Sequence, residues 1–148
     1  LDLFAGTGQL GLEAVSRGAE SAVLIDCSVE AVEIIKKNAR TTGLMKQCRI
    51  SRMDYSEFLK SATTKGEKFD IIFLDPPYSK DMKNEIVKKV SRSEIPANDA
   101  LIICETDKDC FDEEGAYGLE FIKKYRYGKT FITILKNSVK DETGENND

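Results

Sequence analysis

The chain has 148 residues, about one domain, which is enough to bury a core without disulfide staples. Apolar residues make up 41% of it, and no apolar run approaches the roughly 20 residues of a membrane span, so neither a transmembrane helix nor a signal peptide is expected and a cytoplasmic location is. A formal charge of −4 argues against a whole-surface electrostatic grip on nucleic acid. It leaves local basic groups at Lys36, Lys37 and Arg40, at Lys88, Lys89 and Arg92, and at Lys123, Lys124, Arg126 and Lys129, each of which also suits a solvated face.

Apolar and β-branched runs alternate with segments of helical period, the pattern of an α/β protein with crossover helices on a parallel sheet. Leu1 to Phe4 reads as a first strand already under way, which predicts that the numbered chain is a fragment lacking an N-terminal segment. Leu10 to Arg17 reads as a helix stopped by Gly18, and Ser21 to Ile25 as the second strand. Ser28 caps a longer helix to about Thr42, with Val29, Val32, Ile35 and Ala39 as its buried stripe. Cys48 to Arg52 is the third strand, Phe58 and Leu59 mark a short helix, and Thr63 to Lys68 is a polar loop. Phe69 to Leu74 is the fourth strand, and Met82, Ile86, Val87 and Val90 recur at helical spacing before a fifth strand at Ala100 to Glu105.

Leu119 to Arg126 and Thr130 to Lys136 are separated by Tyr127-Gly128-Lys129, too short for a crossover helix, so they must form an antiparallel hairpin. A seven-stranded, mostly parallel sheet with one antiparallel strand near the C-terminus is expected, in one domain over residues 1–136. The charged, apolar-poor stretch 137–148 reads as a disordered tail.

Cys27, Cys48, Cys104 and Cys110 contain no C-x-x-C pair and the chain has no histidine, so no metal site is expected and reduced, mostly buried thiols are. The commonest general base is also missing. Catalysis would have to rest mainly on positioning.

Asp75-Pro76-Pro77-Tyr78 ends the fourth strand at the edge where open α/β sheets place their ligands. An acid, a rigid dipeptide and an aromatic ring suit a planar amino group: Asp75 accepts one N–H, a carbonyl of the proline pair accepts the other, and Tyr78 stacks on the ring. Taken alone, the same four residues could simply end a strand, since Pro-Pro marks loops.

Gly6-Thr7-Gly8-Gln9-Leu10-Gly11 follows the first strand and satisfies the G-x-G-x-x-G pattern, so backbone can approach a ligand closely and N–H groups can face it. Asp26, ending the second strand, stands where an acid grips ribose hydroxyls of any nucleoside cofactor. Asp2 could hold a cationic amine and would repel a pyrophosphate, which favours S-adenosylmethionine over NAD. Asp54 could accept from an adenine amino group beside the Tyr55 backbone N–H, with Cys27 against the purine face. Asp54 suits a helix N-cap as well.

Asp2 to Ala14, Arg17-Gly18-Ala19, Asp26, Asn38, and Phe69-Asp70 leading to Asp75-Pro76-Pro77-Tyr78 together resemble the class I S-adenosylmethionine-dependent methyltransferases. Within them the chain looks like the bacterial family that methylates guanine N2 in small-subunit ribosomal RNA, and Tyr127-Gly128-Lys129-Thr130 resembles that family's ending. The resemblance covers residues 1 to about 136 and implies a three-layer Rossmann-like fold. It implies S-adenosyl-L-methionine held by Asp2, Phe4, Gly6, Gly8, Asp26, Cys27, Asp54 and Tyr55, and a catalytic set of Asp75, Pro76, Pro77 and Tyr78. The implied partner is ribosomal RNA or the small ribosomal subunit, with a monomer as the default and neither metal nor membrane involved. The family's basic N-terminal segment, implicated in RNA contact, is expected to lie before the numbered chain.

Asp-Pro-Pro-Tyr also resembles the tetrapeptide of adenine-N6 DNA methyltransferases, and Asn-Pro-Pro-Tyr serves glutamine methylases of release factors. A nicotinamide-dependent oxidoreductase shares the glycine pattern but leaves Asp75 to Tyr78 unexplained, and a non-catalytic module would not need them.

Overall fold

The computed structural model describes residues 1–77, 79–111, 113–114 and 116–138. Elements follow in the order α1 (Gln9–Ser16), β1 (Ala22–Asp26), α2 (Val29–Thr41), β2 (Cys48–Arg52), α3 (Tyr55–Thr64), β3 (Phe69–Leu74), α4 (Lys80–Arg92), β4 (Pro96–Thr106), β5 (Glu120–Tyr127) and β6 (Thr130–Lys136). Each expected crossover helix is present. Ser28 caps α2 as its sequence predicts, with its hydroxyl accepting from Ala31 N at 3.2 Å.

The expected first strand, Leu1 to Phe4, does not form a ladder, which leaves six of the seven expected strands. Asp2 alone makes parallel bridges, to Leu24 in β1 and to Phe73 in β3. Asp2 N donates to the Val23 carbonyl at 2.8 Å, and Phe73 N to the Leu1 carbonyl at 2.8 Å. Leu3 N donates to the Phe73 carbonyl at 3.3 Å and Ala5 N to the Ile25 carbonyl at 2.9 Å, so the segment lies between β1 and β3 without a continuous ladder. Asp2 joins the pair β1-β2 to the four-stranded set β3-β4-β6-β5.

Pairing is parallel for β1-β2 and β3-β4 and antiparallel on both sides of β6. The expected reversed strand is therefore β6, and it lies between β4 and β5, which leaves β5 at the edge. Alternation along β1 separates two apolar layers. Leu24 packs with Leu12 and Val15 of α1 and Ile35 and Ala39 of α2. Ile25 packs with Phe58 and Leu59 of α3, Ile86, Val87 and Val90 of α4, and Ile72 and Ile102 of the sheet. Helices on both faces of a mostly parallel sheet make three layers.

Val29 and Met82 depart from their stripes, each about half exposed, because both sit in a first helical turn that projects beyond the strand ends. Cys27 is exposed as well, since it follows β1 in the loop at that edge, so the thiols are less buried than expected. Asn137, placed in the tail by composition, is tied to β4: its N donates to the Ala100 carbonyl at 2.9 Å and its amide to Ala97 O at 3.0 Å. Residues 139–148 lie outside the described residues. Among the described residues no helix is long and apolar enough to cross a membrane.

Candidate active site

The glycine turn and the Asp-Pro-Pro segment meet at one edge of the sheet, because parallel strands all deliver their C-terminal ends there. Between them lies a cleft of about 490 Å³, walled by Phe4 to Thr7, Asp26, Cys27, Met53, Asp54, Tyr55, Asp75, Pro77 and Glu105 among others. A larger hollow of about 780 Å³ opens at the opposite edge, beside Ser21 and Lys68, and contains none of the predicted site residues.

The three glycines have different jobs. Gly6, at φ +59°, has open space where a side chain would begin, and it faces the cleft. Gly8, at φ +80°, would place a Cβ 3.1 Å from Ile35 Cγ2, and Gly11 one 2.8 Å from Leu24 Cδ2, so these two let α1 settle onto β1 and α2. Their N–H groups are used inside the protein, which corrects the expectation that they face a ligand. Gly6 N donates to Asp26 Oδ2 at 2.9 Å, Gly8 N to the Ala5 carbonyl at 2.7 Å, and Gly11 N to Asp2 Oδ2 at 3.3 Å.

Asp26 also accepts from Ser28 N at 2.9 Å through Oδ1, so it fastens the glycine turn to the start of α2. Each oxygen keeps a further lone pair for a ligand hydroxyl. Asp54 is the N-cap of α3, accepting from Ser56 N at 2.8 Å, and it still lines the cleft. Tyr55 and Phe4 form a tilted ring pair, centroids 5.4 Å apart, and with Cys27 and Met53 they make the apolar wall.

Asp2 is the main departure among the predicted residues. It is 1% exposed, sits beneath α1, and is not on the cleft wall, because bridging β1 to β3 on the α1 side turns its carboxylate toward Gly11 N–H. Burial pushes its carboxyl up to about 6, against the N–H of Gly11 and other smaller lowering effects. Gly8 is likewise behind the wall. Pro77 lines the cleft, whereas Pro76 is buried on the far side against Ile86, Val87 and Phe111. Tyr78 lies outside the described residues.

Asp75 follows Leu74, whose partner is Cys104, and so comes level with Glu105 on β4. Both acids face the cleft, and Lys83 of α4, nearly buried, lies close enough to act on both. Partial desolvation raises the Asp75 carboxyl above its ordinary value while Lys83 lowers it. Glu105 is raised by desolvation and then by Asp75, again opposed by Lys83. Lys83 Nζ also stands 3.7 Å from Asp107 Oδ1. Sequence reasoning missed Glu105 and Lys83. Glu105 had a signal, being the acid that ends the fifth predicted strand at the same edge as Asp75. Lys83 had none, since a lysine on an amphipathic helix ordinarily reads as solvated.

Among the described residues no three His, Cys, Asp or Glu side chains converge on a point where a metal ion could sit.

A three-layer α/β fold with a glycine turn, the acid Asp26 and an Asp-Pro-Pro segment around one cleft is the arrangement of an S-adenosylmethionine-dependent methyltransferase. The RNA methyltransferase of Salinibacter ruber, solved with S-adenosyl-L-homocysteine, has the same fold, with a TM-score of 0.66 over 99% of this chain and 84% of that one at 16% identity. The family described as conserved hypothetical protein 95 matches residues 1–136, and the chain belongs to it. Bacillus subtilis YlbH is 34% identical over 136 residues, 92% of this chain and 74% of that protein. The ribosomal RNA small subunit methyltransferase D of Haemophilus influenzae is 32% identical over 110 residues, 74% of this chain and 56% of its own length.

Proposed function

We propose that this protein transfers the methyl group of S-adenosylmethionine to the exocyclic amino nitrogen of a nucleobase in ribosomal RNA, with guanine N2 of the small subunit as the target. The observation that carries the reading is that Asp75 and Glu105, which follow the paired Leu74 and Cys104, line one cleft together with Gly6 and Asp26. Membership of a family whose relatives include a small-subunit rRNA methyltransferase favours RNA over duplex DNA.

The residues of the cleft fit the cofactor. Gly6 leaves open a space that a Cβ would enter, Asp26 and Asp54 supply acceptors for hydroxyl and amine groups, and Phe4, Cys27, Met53 and Tyr55 form an apolar wall for a purine. Asp2, set behind that wall, serves by holding the turn in place. When bound, the cofactor supplies an electrophilic methyl group on a sulfonium.

Asp75 accepts one N–H of the target amine, which aims the nitrogen lone pair and offers a site for the proton released on methylation. Pro77 stiffens the segment, and Glu105 limits how the base can sit. The base has to be unpaired or flipped to enter a cleft of this depth. Alignment of this kind is worth several kcal/mol, on the order of 7 or more in well-oriented cases, so no histidine is required.

Asp75→Ala tests this. Transfer of labelled methyl to small-subunit ribosomal RNA should fall by at least about a hundredfold, the usual scale for a positioned proton acceptor. Cofactor affinity by calorimetry should change less than about threefold, since Asp75 sits at the substrate end of the cleft. Transfer at near wild-type rate would remove Asp75 from the mechanism.

A further inference from the structure

Strand β5 leaves the sheet's edge with an unusual surface for an acidic chain. Residues 121–130 hold Lys123, Lys124, Arg126 and Lys129 and no acid, against a net charge of −4 overall. Lys124 is turned inward, bonded to Asp109 and to the Phe111 carbonyl, and so belongs to the structure of the fold. Lys123, Tyr125 and Tyr127 alternate onto one face after a bulge between Phe121 and Lys123. Lys123 Nζ lies 4.8 Å from the Tyr125 ring centroid. Tyr125 and Tyr127 are near parallel, at 17° with centroids 6.4 Å apart. The row ends on Tyr127, which is 64% exposed.

Register ties this row to the cleft. Tyr125 pairs with Ile132, Ile132 with Glu105, and Glu105 is level with Asp75. Directly paired residues share a sheet face, so the tyrosines and the two cleft acids look out on the same side. Three strand spacings separate Asp75 from Tyr125, about 14 Å at ~4.8 Å each. Tyr127 and the tip at Gly128 and Lys129 lie beyond the end of β4, where Thr106 pairs with Phe131, and therefore at the cleft's own edge.

We infer that the exposed face of the β5-β6 hairpin, with Tyr125 and Tyr127 as stacking surfaces and Lys123 and Lys129 as phosphate contacts, binds a single-stranded stretch of RNA flanking the nucleotide in the cleft. The inference rests on the proposed function and names the surface that holds its substrate. Aromatic rings with interleaved cations are the general solution for unpaired strands, because every base has a face to stack and every nucleotide a phosphate. The local charge is complementary to RNA, and a target base in a single-stranded loop would have unpaired neighbours to stack on the tyrosines.

The test uses two assays: anisotropy of a fluorescein-labelled single-stranded RNA oligonucleotide, and methyl transfer to small-subunit ribosomal RNA. Tyr125→Ala with Tyr127→Ala should weaken oligonucleotide binding about tenfold or more, and raise KM for RNA in step, while kcat at saturating RNA holds. The corresponding Phe variants should keep wild-type affinity, because they keep the ring. Lys123→Gln and Lys129→Gln should each lower the slope of log affinity against log salt by about 1. Affinity for S-adenosyl-L-homocysteine and the melting temperature report that the exposed substitutions leave the fold intact.

Unchanged oligonucleotide affinity and KM in the double Ala variant would overturn the inference. So would a KM change seen on assembled small subunits but not on naked RNA, which would assign the face to a protein. A wild-type chain that neither binds the oligonucleotide nor methylates ribosomal RNA would sink the proposed function and this inference together. Methylation by the wild type with no effect of the variants would sink this inference alone.

Discussion

Lys83 is the residue on which the charge state of the cleft depends. It is a nearly buried cation between α4 and the ends of β3 and β4, and its field lowers both Asp75 and Glu105 against the desolvation that raises them. An Asp75 that takes up the proton released on methylation must be ionised, so methyl transfer should decline as pH falls through its raised pKa. Lys83→Met removes the opposing field, both carboxyls rise further, and the acid limb of kcat/KM should move to higher pH. A pH–rate profile checks this, and a limb left in place would mean that Asp75 does not carry it. Across the glycine turn stands Asp26, whose two oxygens each take a backbone N–H and so set the distance between that turn and α2.

At the scale of elements, α3 begins at the cleft, and its cap residue is also the one proposed to hold the cofactor. Asp54 accepts from Ser56 N while its side chain lines the wall. Serine caps a helix about as well as aspartate, whereas alanine costs about 1 kcal/mol. Asp54→Ser should therefore keep stability within about 0.5 kcal/mol yet lose cofactor affinity, and Asp54→Ala should lose both. Urea titration and calorimetry separate the two effects. Equal cofactor affinity in all three proteins would make Asp54 a cap and nothing more. The helices were legible in the sequence because each has a cap or a stop and an apolar stripe, Val32, Ile35 and Ala39 in α2 for example. What periodicity could not show was where a stripe runs off the sheet, as at Val29 and Met82.

For the whole molecule, Asp2 is the seam between two sets of strands, and it is a buried acid. Its carboxyl is pushed up to about 6, so the folded state holds the proton that the unfolded chain releases near 4. Below pH 4 both states are protonated and this contribution to stability is fully present. As pH rises through about 6 it is lost, an amount of ~3 kcal/mol for a shift of about two units. Asp2→Asn carries no charge to bury, so the fall in unfolding free energy between pH 4 and pH 7 should shrink by up to that amount. Urea unfolding at several pH values measures it, and an unchanged slope would move the titration elsewhere. The outer part of the sheet follows from the same topology. Because β6 inserts between β4 and β5, the basic and aromatic strand is the one left at the edge.

The sequence by itself determined the alternation of strands and helices, the reversed final strand and the two motifs that meet at the site, because each depends on neighbours within about ten residues of chain. It also pointed to Asp75, Asp26 and Asp54, since an acid closing an apolar strand is placed at the sheet's C-terminal edge by the strand itself. Only the tertiary structure decided which acids reach the cleft. Asp2 and Asp75 both accompany strands, yet one bridges two neighbours under a helix and the other stands in the open. Glu105, though it ends a strand at the same edge, meets Asp75 only through register, and Lys83 joins the site through helix packing, which links residues far apart in the chain and leaves no mark in a local pattern.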